Sequence, residues 1–342
     1  MFLTALMLAA GLFDCPPSDG LQYLCGLGAT EELAAIPGTT WMVASNLNLG
    51  SPAPLLWVDR ASGRAQPVQL KDPLPATRES PLSSTCKTPP DPARMSTDGL
   101  ALRPGRGGIH RLYVANHGDR LAVEVFELDA RASAPSLRWS GCVPMPAGTL
   151  PNAVSALPGE GFVVISFHDP SDPQAWERMA RGEDTGRVFE WQPLRGLREV
   201  PGSQMSGGNG IETSRDGGEI YASAWSGSRL VVLSRRDGKR REIPLPFLPD
   251  NLHRLDDGSL LVGGQRSTAR AIGACQGPKC PQPWVVARVD PRSGRVETLL
   301  EGPGSDVIDY ACGAQLIDGR LYVTVRGDRR LVVAAYRSGK QS

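Results

Sequence analysis

A surplus of one charge sign is missing from this chain. Lys and Arg number 37 against 36 Asp and Glu, with four His, a formal net charge of +1 over 342 residues. Such balance disfavours a nucleic-acid groove or a polybasic membrane patch, and no nucleic-acid partner is expected. Aromatics, at 6 per cent, are too sparse for a base-stacking platform. Long apolar runs are missing as well. The only sustained one, Phe2 to Phe13, has about twelve residues and is too short to cross a bilayer, so no transmembrane segment is expected. It suits the apolar part of a signal peptide but lacks a basic residue ahead of it, and a helix packed on the domain is the alternative. There is no CxxC pair, GxSxG elbow, Walker A loop, HExxH helix or EF-hand loop. The glycines of GGNG precede a strand and make no phosphate cradle.

What the chain has in quantity is turn formers: 39 Gly and 30 Pro, roughly a fifth of its residues where about 12 per cent is usual. Forty per cent hydrophobic residues over this length fill a sizeable core. Short β-type runs such as HRLYVANH, VEVFELD, GFVVISF, EIYASAW, RLVVLSR and WVVARVD alternate with turn pieces such as RRDGKR and VDPRSGR, the pattern of antiparallel meanders. Six segments share one layout: a polar or small residue, a half-apolar strand, a Gly turn, then a second strand. They are Glu31 to Gly38, Asp98 to Gly105, Asn152 to Gly159, Asn209 to Gly217, Asn251 to Gly258 and Cys312 to Gly319. Their starts lie 67, 54, 57, 42 and 61 residues apart. Six such modules close into an all-β, six-bladed β-propeller, whose ring leaves no long free sheet edge. The last module runs out after about three strands, so a strand near Leu21 to Leu24 is expected to complete it.

If each innermost strand starts at one height on the central channel, the leading side chains Glu31, Asp98, Asn152, Asn209, Asn251 and Cys312 form a ring, with Asp250 beside Asn251. Carboxylates and amide carbonyls are hard oxygen ligands, of which Ca²⁺ takes six to eight. The expectation is one Ca²⁺ at the channel mouth on Glu31, Asn152, Asn209, Asp250 and Asn251. Cys312 completes the ring, but a thiol is a poor calcium partner.

The stretches TEELAAIPG, LYVANHGDRLAVEVFELD, LPNAVSALPGEGFVV with the later DPQAWERM, GGNGIETSRDGGEIYASAW and PDNLHRLDDGSLLVGG resemble the paraoxonase/arylesterase family, within the wider gluconolactonase and strictosidine-synthase-like propellers. The resemblance runs from about Thr30 to Tyr336. It implies calcium ligands on the same five residues, and a hydrolase of lactones or aryl esters in which the metal polarises the carbonyl. It also implies that a small-molecule lactone or ester is the partner. The departures are specific. Asp98 stands where paraoxonases carry a histidine that activates water; the second histidine of that pair has its counterpart at His117, and His168 matches a rim histidine. A second, structural calcium is lost, because its acidic ligands would fall on Glu32 and Ala153. The family's bridge between the two termini is absent, since no cysteine follows Cys312.

Asp98, His117 and His168 are therefore the catalytic candidates, with Asp98 read either as base or as metal ligand. A cation nearby would hold the Asp98 carboxyl below its usual value near 3.9. The missing histidine keeps a second reading open: a non-hydrolytic propeller, condensing or ligand-binding. Seven cysteines fit an exported, oxidised chain better than a cytosolic one; Cys275 and Cys280 bracket a Pro/Gly loop and are expected to pair, and Cys15, Cys25, Cys86 and Cys142 could supply further bridges. Residues 1–24 are expected to be a leader and 25–342 the propeller, secreted or periplasmic if the leader is a signal peptide and cytoplasmic if it is not.

Overall fold

The computed structural model describes residues 15–17, 20–47, 53–74, 82, 86–275, 279–327 and 330–336. The apolar run Phe2 to Phe13 lies outside them. The described residues form six sheets, five of four strands and one of five. Each sheet is a blade whose innermost strand is the first of its module: Leu33–Ala35, Thr97–Arg103, Pro151–Ala156, Gly208–Thr213, Leu248–Arg254 and Ile308–Ile317. Each innermost strand touches the next around the ring, and the first touches the last. The expected six-bladed propeller is the fold.

Second strands show why these sequences make blades. Phe162–Ser166 and Leu260–Gln265 are buried at every position, because a neighbouring blade covers each of their faces. Six apolar clusters fill the gaps between successive blades. Ile165, Val188 and Val163 of blade three meet Ile220, Ala222 and Val231 of blade four. Leu24, Leu331 and Val333 of blade six meet Leu33, Met42 and Val58 of blade one. A seventh cluster, Phe167, Met179, Trp225, Leu248, Ala269 and Ile272, caps one end of the channel. It includes the two short helices Ala175–Ala180 and Ala269–Gly273, which nothing in the periodicity announces.

The ring closes as the sequence predicts. Strand Gln22–Cys25 pairs antiparallel with Arg330–Ala335, Tyr23 opposite Val332, so the first strand among the described residues is the outer strand of the last blade. Strand Gln22–Cys25 spans the position of the expected boundary after residue 24. Three disulfides are present: Cys275–Cys280, as expected, with Cys15–Cys25 and Cys86–Cys142. Cys312 is free. No helix among the described residues is long and apolar enough to cross a membrane.

Candidate functional site

The innermost strands share a second feature, and it decides where the leading side chains go. In five of the six, the pairing register slips at the leading residue: between Thr97 and Leu100, Pro151 and Val154, Gly208 and Ile211, Pro249 and Leu252, and Ala311 and Gly313. A bulge re-aims one side chain out of the regular alternation. Asp98, Asn152, Asn209, Asp250, Asn251 and Cys312 all sit in these bulges, at the same end of the channel.

Glycines let the bulged strands approach closely. A Cβ on Gly99 would lie 2.4 Å from Ala153 Cα and 2.5 Å from Asn152 O. One on Gly210 would lie 2.2 Å from Asp250 O, and one on Gly313 3.0 Å from Asn251 Cβ. Each of these glycines directly follows a leading residue, so a missing side chain narrows the mouth where its neighbour's side chain projects.

Hydrogen bonds pair the residues of the mouth with one another or with a neighbour. Asn152 Nδ2 donates to Asp98 Oδ2 at 3.1 Å, and Asn251 Nδ2 to the Glu31 carbonyl at 3.0 Å. Asn209 lies beside the Asp250 carboxylate, whose Oδ2 accepts from Gln265 Nε2 at 2.8 Å. Asn152 and Asn251 thus spend their amino groups on neighbours. The three carbonyl oxygens, Asn152 Oδ1, Asn209 Oδ1 and Asn251 Oδ1, are left buried with no partner. A buried acceptor without a donor costs about 1–3 kcal/mol. Three together leave the mouth with acceptors that the chain itself does not satisfy.

The carboxylates say the same. Asp98, 3 per cent exposed, is raised well above its usual pKa by burial and then by Glu31, Asp250 and Glu32. Burial and Glu31 likewise raise Asp250, and burial raises Glu31. With only protein around it, Asp98 is pushed opposite to the direction expected beside a cation: the site holds more negative charge than its surroundings balance. His, Cys, Asp and Glu side chains do not by themselves make a metal-binding group among the described residues. A hard cation here would depend on the amide oxygens, and three amide oxygens with Glu31 and Asp250 fit the oxygen shell of Ca²⁺.

His117 and Asp98 are neighbours, His117 Nε2 lying 3.6 Å from Asp98 Oδ2 and donating to the Pro151 carbonyl. Burial lowers its pKa to about 4, with His168 adding to the effect, so the ring is neutral at pH 7 and its Nδ1 is buried without a partner. His168 sits at the rim, with Nδ1 2.8 Å from the Asp169 carbonyl and its ring 5.3 Å from that of Phe167. Phe167, Trp176 and Trp225 make edge-on contacts beside it, Trp176 being 43 per cent exposed.

Two features escaped the sequence reading. Gln265 links Trp225 Nε1 (2.8 Å) to Asp250, joining the aromatic cap to the mouth; a glutamine ending the run SLLVGG gives no hint of this. Glu32, implied by the resemblance as a ligand of a lost second ion, accepts instead from His253 Nε2 at 2.7 Å, and Glu32 and Glu212 keep His253 above its usual pKa despite burial. An imidazole thus faces the carboxylate where a metal was expected to be missing.

No family model and no curated protein matches the chain. Solved structures do. A gluconolactonase from Xanthomonas campestris aligns over 97% of this chain and 93% of its own, at 20% identity and TM-score 0.58. The calcium-binding protein regucalcin from Agrobacterium tumefaciens aligns over 90% of each chain, at 13% identity and TM-score 0.52. Virginiamycin B lyase from Staphylococcus aureus covers 92% of this chain and 98% of its own, at 11% identity and TM-score 0.51. Identities this low establish architecture alone, and the narrower paraoxonase resemblance rests on sequence motifs only: the chain is a six-bladed β-propeller of the shape shared by gluconolactonase and regucalcin.

Proposed function

We propose that this propeller is a calcium-dependent hydrolase of lactones or aryl esters. The observation that carries the reading is the trio of orphaned asparagine oxygens set among mutually repelling carboxylates at the channel mouth. A calcium ion held by Glu31, Asn152, Asn209, Asp250 and Asn251 would supply Lewis acidity for the ester carbonyl and for the charge developing on its oxygen.

The remaining chemistry belongs to the chain. Asp98 takes the proton of the attacking water, and Asn152 Nδ2 fixes the orientation of its carboxylate, with His117 packed 3.6 Å from it. The proton then passes to the leaving alkoxide, as microscopic balance requires. His117 stays neutral, anchored through Nε2 to the Pro151 carbonyl. His168 stands at the rim, where the substrate enters. The aromatic cap of Phe167, Trp176 and Trp225 borders that entrance and excludes water from one side.

The three disulfides support export to an oxidising compartment. A cleaved leader would end ahead of Cys15, because Cys15 is bridged to Cys25. One observation favours a second reading, a non-hydrolytic or ligand-binding propeller: Asp98 stands where the related hydrolases carry histidine. A panel of lactones, aryl esters and phosphotriesters, assayed with wild type, Asp98→Asn and Asn209→Ala, separates the two. Hydrolysis that chelator and Asn209→Ala both abolish supports the first. Full turnover in excess chelator, or no turnover of any member, overturns it.

A further inference from the structure

The channel has a second end, where the order of charge is reversed. A cavity of about 600 Å³ is lined there by the inner strand of every blade and by the turns those strands run into, at Pro104, Pro158 and Ser214. It therefore opens opposite the leading residues. Its charged side chains are two carboxylates, Glu32 and Glu212, three guanidiniums, Arg103, Arg215 and Arg254, and His253. The carboxylates are satisfied within the chain. Glu32 Oε1 accepts from His253 Nε2 at 2.7 Å and from the Leu33 amide at 2.9 Å. Glu212 accepts from Ser155 Oγ at 2.8 Å and from the amides of Thr213 at 2.7 Å and Arg254 at 3.3 Å. The guanidiniums are not satisfied. Arg103 Nη1 is buried with no partner, and Arg254 Nη1 donates to the Thr213 carbonyl. Neither arginine forms an ion pair among the described residues. Arg215 pairs with Asp256 at 3.3 Å, but both are largely exposed and such a pair contributes little.

We propose that this far cavity is a binding site for a small hydroxylated carboxylate, its carboxylate on Arg103 and Arg254 and its hydroxyls on Glu32, Glu212 and Ser155. A guanidinium matches a carboxylate in shape as well as charge, and two unpaired ones give the ligand a direction. The other end of the ligand meets acceptors. A carboxylate has about four acceptor sites, so the bonds that Glu32 and Glu212 already make leave room for hydroxyl donors, and the Ser155 oxygen keeps its lone pairs. The cavity volume suits a small molecule. In one respect the ligand class rests on the lactone-hydrolase reading: water opening a lactone releases a hydroxy acid of this kind. The carboxylates of the mouth repel that anion and the guanidiniums of the far end attract it.

Calorimetric titration of the full-length protein in chelator, with D-gluconate as the probe, tests this. Wild type is expected to bind gluconate at a single site. D-Glucose, which lacks the carboxylate, and propionate, which lacks the hydroxyls, should each bind at least about tenfold more weakly. Arg103→Gln and Arg254→Gln should each weaken gluconate about tenfold or more, whereas Asn209→Ala, at the mouth, should leave its binding unchanged. If neither arginine variant folds, wild-type crystals soaked in gluconate must show its carboxylate on Arg103 and Arg254; gluconate seated elsewhere overturns the site. So do the absence of binding, equal binding of glucose or propionate, and a loss in Asn209→Ala that the arginine variants do not share. Hydrolysis is assayed separately. Gluconate binding in a protein that opens no lactone upholds the site and refutes the hydrolase, and turnover without gluconate binding does the reverse.

Discussion

Calcium should stabilise this protein measurably, and the size of the effect follows from the mouth. A ligand that binds only the folded state at 100 times its Kd adds about 2.7 kcal/mol. In a chain of this length roughly 2 °C accompanies each kcal/mol, so the melting temperature should rise by about 5 °C. Replacing Asp250 by Asn removes one ligand charge. If affinity falls about 100-fold, the same calcium concentration contributes only about 0.4 kcal/mol, or roughly 1 °C. The sign of the effect without calcium is the sharper check. Asp250 is buried against Glu31, and both factors raise its pKa, so its charge works against folding in the ion-free protein. Asp250→Asn should therefore melt no lower than wild type in chelator and fall behind it only when calcium is added. A residue with a purely structural role would lower stability in both conditions. Differential scanning fluorimetry of the two proteins with chelator, calcium and magnesium reads all six melting temperatures. A wild type indifferent to millimolar calcium, or a variant that is destabilised in chelator yet still shifts with calcium, refutes the reasoning.

The pH dependence carries its own sign. Asp98, Asp250 and Glu31 have folded pKa values above their unfolded ones, so the folded ion-free protein binds more protons and loses stability as pH rises from about 4 toward neutrality. His117, lowered to about 4 by burial, works the other way over the same range, so the carboxylates are read by difference: in chelator Asp250→Asn should lose less stability than wild type between pH 5 and pH 7, calcium should remove that difference, and parallel profiles would contradict it. Gly210→Ala places a Cβ 2.2 Å from Asp250 O, which should cost about 1–3 kcal/mol and weaken calcium binding, as seen by melting and calcium titration. Glu124 is wholly buried and accepts from Arg120 Nε (2.6 Å) and Nη2 (2.9 Å) and from Trp139 Nε1 (2.8 Å). Glu124→Ala strands the guanidinium and should cost about 3–5 kcal/mol in urea unfolding; a loss below about 1 would show that the pair is idle. Deleting residues 1–25 uncovers the edge of Arg330–Ala335 and should yield oligomers or unfolded chains in size-exclusion chromatography.

The ring was legible in the sequence because each blade repeats the same local instructions. A Gly turn follows the inner strand in every module, and Gly38, Gly159, Gly217, Gly258 and Gly319 take the left-handed φ, between 69° and 89°, that such turns demand. Closure by residues near 21–24 was legible for a complementary reason: the last module is one strand short, and an unpaired edge needs a partner. The capping helices were not. Ala175–Ala180 and Ala269–Gly273 span six and five residues, too few for a 3.6-residue period to register, and they are held by packing of Met179 and Ile272 against Phe167 and Trp225. Arg235 escaped for a similar reason. It stands in the turn piece RRDGKR, yet it makes a bidentate pair with Glu190 (2.9 and 2.7 Å), a partner 45 residues away on the preceding blade.

The site itself was half legible, and the dividing line is physical. Residue type at a repeated position identifies which side chains could face the channel, because the repeat fixes their height. It does not say that they turn inward, since strict alternation along an inner strand would send adjacent residues such as Asp250 and Asn251 to opposite faces. The bulges settle that, and their trace in the sequence is the glycine after Asp98, Asn209 and Cys312, in blades two, four and six. There the inner strand presses its glycine on the backbone or Cβ of a neighbour, at Ala153, Asp250 and Asn251. A polar residue followed by glycine at the head of alternate modules is therefore a signal for a narrow, inward-turned mouth, independent of any resemblance. Amide orientation lies beyond such a signal. Only the folded chain commits the amino groups of Asn152 and Asn251 to Asp98 and Glu31 and sets Asn209 beside Asp250, leaving three buried oxygens without a donor.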